Sequence, residues 1–215
     1  MVRRSASGTM HSFTTTSGTV SVPAAGRASI RNFLRRETGA IHRDLHRAEP
    51  FGALLDGTMT LRQYCNLLSV LAAFHSSMAL LVQSGADALD LRRLSEMHRR
   101  RLARLQEDLA SLRIEPQKTA ALGSVRGEAF AIGCAYTVQG STLGGRVIDR
   151  ALHSLLPTGQ GRSFFHGDDS DQALWSEFCA ALEARRYTPD ELHALGAGAD
   201  FAFQVFSNGL ERCPK

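Results

Sequence analysis

The sequence predicts a single all-α domain with a flexible N-terminus, and three observations carry that reading. After Ser29, apolar residues recur at helical spacing along most of the chain. No segment alternates apolar and polar residues with period two between turn signals. Two capping boxes open long apolar runs. With 215 residues, 43% apolar and 21% charged, the chain can bury one full core with some length to spare. Six to eight helices are expected, and no internal repeat is present.

Residues 1–28 carry Arg3, Arg4 and Arg27, no acid, and many serines and threonines. This is the composition of a disordered extension, and an organelle transit peptide shares it; the apolar stretch of a secretory signal is missing. The folded domain is expected over 29–212. Within 30–47, Ile30, Phe33, Leu34, Ile41 and Leu45 share one helical period, and Pro50 follows its end. Thr60-Leu61-Arg62-Gln63 caps a long apolar helix through Leu67, Leu71, Phe74, Met78 and Leu81. Residues 88–112 set leucines on one face against arginines and acids on the other. From Thr119 to about Leu156 the chain is largely apolar, and a Gly- and Ser-rich loop over 157–170 interrupts it. A helix with Trp175 and Phe178 follows. Thr188-Pro189-Asp190-Glu191 then opens a last helix through Phe201, Phe203 and Phe206.

Charge and cysteine usage exclude several function classes. Twenty-five basic and 21 acidic residues give a net charge of +4, three units of which sit in the N-terminal segment. The body is nearly neutral, which argues against nucleic-acid binding. Cys65, Cys134, Cys179 and Cys213 lie far apart with no CxxC pair, the pattern of reduced thiols in a cytoplasmic protein. No run of 18 uncharged apolar residues predicts a membrane span, and no nucleotide-binding fingerprint is present.

Two sets of residues carry chemistry. Gly133, Gly140, Gly144 and Gly145 interrupt an otherwise helical run, each at a cost of about 1 kcal/mol relative to alanine. Gly133, Gly140 and Gly144 fall on one face, which suits either close helix packing or a flat ligand lying against the backbone. The second set is His42 and His46, one helical turn apart. The zinc-protease reading of this spacing fails because Arg43 stands where the general base should follow. A di-iron reading fails too, since no glutamate has a histidine three residues on.

Leu34-Arg35-x-x-Thr38-x-x-x-His42 together with Tyr136-Thr137-x-x-Gly140-Ser141-x-Leu143-Gly144-Gly145 resembles the haem oxygenase family. The similarity runs from about residue 30 to residue 210. It is closest to the bacterial branch, which includes enzymes that supply biliverdin to bacteriophytochromes. The resemblance implies a helical bundle holding haem between the first helix and a kinked, glycine-rich distal helix. It implies that His42 is the axial iron ligand, that Arg35 pairs with a haem propionate, and that Thr38 and Tyr136 line the site. Gly140, Ser141, Gly144 and Gly145 would lie over the distal face, and Phe203 and Phe206 against the macrocycle. Arg185 and Arg186 are candidates for the other propionate. The implied reaction cleaves haem, both substrate and cofactor, to biliverdin, CO and ferrous iron. It uses O2 and electrons from an external ferredoxin or reductase, and a bacteriophytochrome is the implied product acceptor.

The chain departs from the family at two positions. Mammalian members place an aspartate where Ser141 stands, and many bacterial relatives have glutamate in place of Gln139. Two rival readings share the fold. A non-catalytic haem sensor, store or carrier would keep His42 without needing the glycine face. A thiamin-degrading relative would need a nucleophilic cysteine with acidic partners, and Cys134 has no evident base nearby.

Overall fold

The computed structural model describes residues 29–47, 49–117, 122 and 126–212, and the segment 1–28 and Cys213 lie outside them. Ten helices and no strand occur among the described residues. In order they are α1 (Ile30–Glu37), α2 (Gly39–Arg47), α3 (Phe51–Leu55), α4 (Leu61–Ala88), α5 (Arg92–Ser111), α6 (Glu128–Gly140), α7 (Thr142–Ala151), α8 (Ser163–His166), α9 (Asp171–Ala184) and α10 (Pro189–Glu211).

The count exceeds six to eight for identifiable reasons. Two expected helices are broken, and two short ones, α3 and α8, occupy stretches expected to be connections. The first break falls at Thr38, whose hydroxyl donates to the Leu34 carbonyl at 2.8 Å and shares it with the residue's own backbone N–H at 2.9 Å. The second falls at Ser141, the junction between α6 and α7. Both capping boxes form as expected, Thr60 with Gln63 on α4 and Thr188 with Glu191 on α10.

The centre of the molecule is α6, which packs against α4 and α10, while α5 packs on α4. Every residue of α6 from Ala129 to Gln139 is buried, as expected of a helix that is apolar all round. Glycines allow the close approach. A methyl group at Gly133 would lie 2.0 Å from the Leu195 carbonyl of α10, and one at Gly198 would lie 2.0 Å from the Phe130 carbonyl of α6. Gly133 therefore belongs to a helix seam. Of the two roles its spacing left open, Gly133 takes close helix packing.

One described helix, α4, is long and apolar enough to cross a membrane, with a window of mean hydropathy 1.7. Sixty-one per cent of that window is buried inside the fold, so α4 is a core helix here.

Two carboxylates fix the elements that carry the site. Glu183 of α9 accepts from Ser29 Oγ (2.7 Å), Ile30 N (3.0 Å) and Arg31 N (3.0 Å), and so anchors the start of α1. Asp108 of α5 accepts from the backbone N–H groups of Ser163 (2.9 Å) and Phe164 (2.8 Å), and so holds α8. Through α8 it supports α7, which packs on that short helix.

Candidate functional site

Helices α2 and α7 both pack against α3, which brings the histidine helix and the glycine helix to one end of the fold. His42 of α2 is exposed. Its ring meets His46 edge-on at 4.5 Å and Phe203 of α10 at 5.9 Å between centroids. Partial burial, and then the neighbouring His46, hold the His42 pKa below its ordinary value. The imidazole is therefore neutral at pH 7 and keeps a lone pair for a metal.

On α7 and the last turn of α6, Gly140, Leu143, Gly144 and Val147 follow the i, i+3, i+4, i+7 spacing of one helix face. Leu143 is 51% exposed and Val147 50%, so this apolar face is not covered by the protein. A methyl group at Gly144 would meet nothing within 4 Å, whereas one at Gly140 would touch the Trp175 ring at 3.5 Å. Gly145 points the other way. A methyl group there would lie 2.8 Å from the Phe165 carbonyl, so Gly145 packs α7 onto α8 instead of lining an open face.

The remaining expected residues fall into two groups. Arg35 is exposed, and its charge together with that of Arg31 acts on the buried Tyr136 hydroxyl. Burial raises the Tyr136 pKa, and the positive charges of Arg31 and Arg35 act against it. Phe203 contacts His42 directly. Phe206 instead packs against Phe51 (6.1 Å) and Phe74 (5.3 Å), toward the core.

Others are engaged elsewhere. Thr38 is buried and its hydroxyl serves the α1–α2 break. The Ser141 hydroxyl donates to the Val138 carbonyl at 2.7 Å. Arg185 donates to the Ala88 carbonyl (3.0 Å) and pairs with Glu128 (2.9 Å) and Glu191 (3.3 Å). It ties together the ends of α4, α6 and α10, away from the propionate contact for which it was a candidate. Arg186 is exposed.

Sequence reasoning missed a buried polar cluster on the α4–α5 seam, formed by His75, His98 and Arg101. The signal was there in principle, since His75 falls on the apolar stripe of Leu68, Leu71 and Met78. Two surface hollows, of about 490 and 450 Å3, are lined by residues of α4, α5 and their neighbours, and neither includes a residue of α2 or α7. The α2 and α7 faces are open to solvent, with His42 exposed and Leu143 and Val147 about half exposed.

The donor set restricts what the site can hold. Among the described residues, no group of three or more His, Cys, Asp or Glu is arranged to bind a bare ion. One neutral imidazole suits an iron that brings its other ligands with it. An uncovered apolar face suits a flat apolar molecule, and the Arg31–Arg35 edge suits anionic substituents. Together these features are those expected of a helical haem-binding protein.

Comparison with known proteins agrees. The family model described as "Heme oxygenase" matches residues 28–212, so the chain belongs to the haem oxygenase family, whose members degrade haem. A haem oxygenase of Xanthomonas campestris pv. campestris is 36% identical over 114 residues, 53% of this chain and 68% of the relative. The fold is similar to haem oxygenase from Neisseria meningitidis, solved with NO and CO bound, with TM-score 0.70 and 21% identity over 86% of this chain and 92% of that one. It is also similar to haem oxygenase from Leptospira interrogans, with TM-score 0.69 and 17% identity over 85% and 98% of the two chains.

Proposed function

We propose that this haem-degrading enzyme cleaves haem to biliverdin, CO and ferrous iron, with His42 as the axial ligand and electrons from a separate ferredoxin or reductase. The observation that carries the reading is the open glycine face of α7, at the end of the fold where α2 exposes a neutral imidazole. Bound haem supplies the iron that takes up O2 and the porphyrin carbon that is oxidised.

The chain's own residues do the rest. His42 offers a neutral nitrogen donor, which suits reversible O2 binding better than a thiolate would. Gly144 leaves space where any side chain would narrow the distal face. Leu143 and Val147 keep that face apolar. Arg35, with Arg31 and Tyr136, gives one edge a positive charge that would orient the propionates. Because the Ser141 hydroxyl is committed to the Val138 carbonyl, backbone groups and water are left to donate protons on the distal side. A bacteriophytochrome is the acceptor this reading implies for the product.

The test is His42→Ala, loaded with haem and supplied with ascorbate or a ferredoxin system. Turnover to biliverdin should fall by more than about a hundredfold, beyond the loss usual for a residue that only supports a ligand. The histidine-type Soret band should be lost, and added imidazole should restore part of both. Wild-type protein that binds haem but yields no biliverdin would show a carrier instead.

A further inference from the structure

Arg162 has no part in the reading above, yet its guanidinium gathers the end of α7. Nη1 donates to the Asp149 carbonyl (3.0 Å) and to Asp149 Oδ1, Nη2 to His153 Nδ1 (3.2 Å), and Nε to the Leu156 carbonyl (3.1 Å). We infer that the Arg162–Asp149 pair positions α7 against bound haem and sets how fast haem leaves. The inference rests on haem lying against the Gly144 face.

Arg162 stands on backbone that the core holds on both sides. Before it, the Gly161 carbonyl accepts from the buried Tyr64 hydroxyl of α4 at 2.6 Å. After it, Asp108 of α5 accepts from the N–H groups of Ser163 and Phe164. The side chain therefore reaches α7 from a fixed base. Asp149 lies one turn on from Gly145, so both belong to the side of α7 that meets α8, and Gly144 is turned about 100° from that side. Gly145 seats the first half of α7 against the Phe165 carbonyl by close packing, and Asp149 fastens the last turn by charge.

The pair is shielded enough to matter. The Arg162 and Asp149 side chains are each 13% exposed, whereas another ion pair of α7, Arg146 with Asp169, is open to solvent. A solvated pair holds little, but a shielded charge that loses its partner is costly. Exposed His166 also approaches Asp149, with Nδ1 at 3.2 Å from Oδ2. It cannot replace Arg162, because one ring nitrogen does not span Asp149, His153 and Leu156. The support α7 takes from α8 is its most extensive, and its other end is the break at Ser141. Loss of the pair thus loosens the far end of α7 while Gly145 keeps the near end seated.

The experiment uses the full chain as wild type, Asp149→Asn, Arg162→Gln, Arg162→Lys and His166→Ala. Amide hydrogen exchange is followed in the haem-free protein, and transfer of haem to excess apomyoglobin in the loaded one. In Asp149→Asn and Arg162→Gln, amides of 142–151 should exchange at least about tenfold faster while those of α4 and α6 keep wild-type rates. Haem should leave at least about tenfold faster with the histidine-type Soret band unchanged. Arg162→Lys keeps the charge without the fork and should fall between. His166→Ala should match wild type. Exchange that rises equally throughout the fold would make the pair a general support, and wild-type exchange in 142–151 would make it none; either overturns the inference. Faster exchange in α7 with unchanged haem transfer overturns it too. Should Asp149→Asn and Arg162→Gln fail to fold, Arg162→Lys decides by the same two measurements. None of these results bears on the axial ligand, whose assignment falls only if His42→Ala keeps the histidine-type Soret band.

Discussion

Glycine and histidine each occur in two settings in this molecule, one closed and one open. In the interior formed by α4, α5, α6 and α10, a methyl group added at Gly133 would lie 2.0 Å from a backbone carbonyl. There His75 and His98 stack at 5.3 Å, and His98 Nε2 lies 3.1 Å from the His75 carbonyl it can donate to. Arg101 lies buried over the Phe164 ring at 4.6 Å. Both nitrogens of His75, Nδ1 of His98 and one Arg101 nitrogen find no partner there. At the end of the fold that carries α2 and α7, a methyl group added at Gly144 would meet nothing within 4 Å and His42 is exposed. Residue type is the same in both settings. What differs is the element opposite, and that decides whether a glycine is a seam or a pocket and whether a histidine can reach a ligand.

The largest expected effect tests the closed setting. In Gly133→Ala the added carbon meets a backbone carbonyl and not the end of a flexible side chain, so α10 itself must move. Overpacking of a core typically costs 1–3 kcal/mol, and this site should lie at about 3 kcal/mol or beyond. Urea unfolding measures it. A Gly133→Ala protein within about 1 kcal/mol of wild type would mean that the seam gives way easily and that the contrast with Gly144 is false.

The buried histidines give the next effect, through pH. Burial pushes His75 well below its ordinary pKa and His98 down to about 4, and Arg101 lowers both further, against the hydrogen bond that raises His98. Between the unfolded value near 6.5 and the folded one near 4, the unfolded chain binds a proton that the fold refuses. Stability is therefore complete above pH 6.5 and falls as the pH drops through that window. From pH 7 to pH 5, His98 alone should remove about 2 kcal/mol. His98→Leu should flatten the curve by that amount. A His98→Leu protein with the wild-type pH dependence would show that water already reaches the pair.

How much of this could be read from the chain followed from the range of each interaction. Capping boxes at Thr60 and Thr188 are complete within four residues, and both formed as their sequences indicated. The family motifs around His42 and Gly140 were legible for the same reason. Helices α3 and α8, of five and four residues, are too short to display a period. The fate of Gly133 depends on Leu195, and that of Gly145 on Phe165, neither of which is near it in sequence. Arg185 looked available because its partners sit at the ends of three other helices. His75 and His98 form a pair only once α4 and α5 pack together, so the sequence offered two isolated polar residues on apolar stripes.

The smallest effect on stability, and the sharpest on the contrast, is at Gly144. An interior glycine costs a helix up to about 1 kcal/mol relative to alanine, and a methyl group here meets nothing within 4 Å. Gly144→Ala should therefore stabilise the apoprotein by a few tenths to about 1 kcal/mol, whereas Gly145→Ala, driven against the Phe165 carbonyl, should destabilise it. Neighbouring glycines would thus respond with opposite signs, although propensity alone assigns them the same one. Gly144→Leu extends the test from stability to function. It should keep the helical gain and still bind ferric haem through His42, but it should fail to release biliverdin because its side chain occupies the distal space. A protein more stable than wild type yet inactive separates the open face from a packing seam, where added bulk would cost stability first. If Gly144→Leu turns haem over at the wild-type rate, the space at α7 is not where O2 and the porphyrin edge meet. The comparison between closed and open glycines would then lose its functional half.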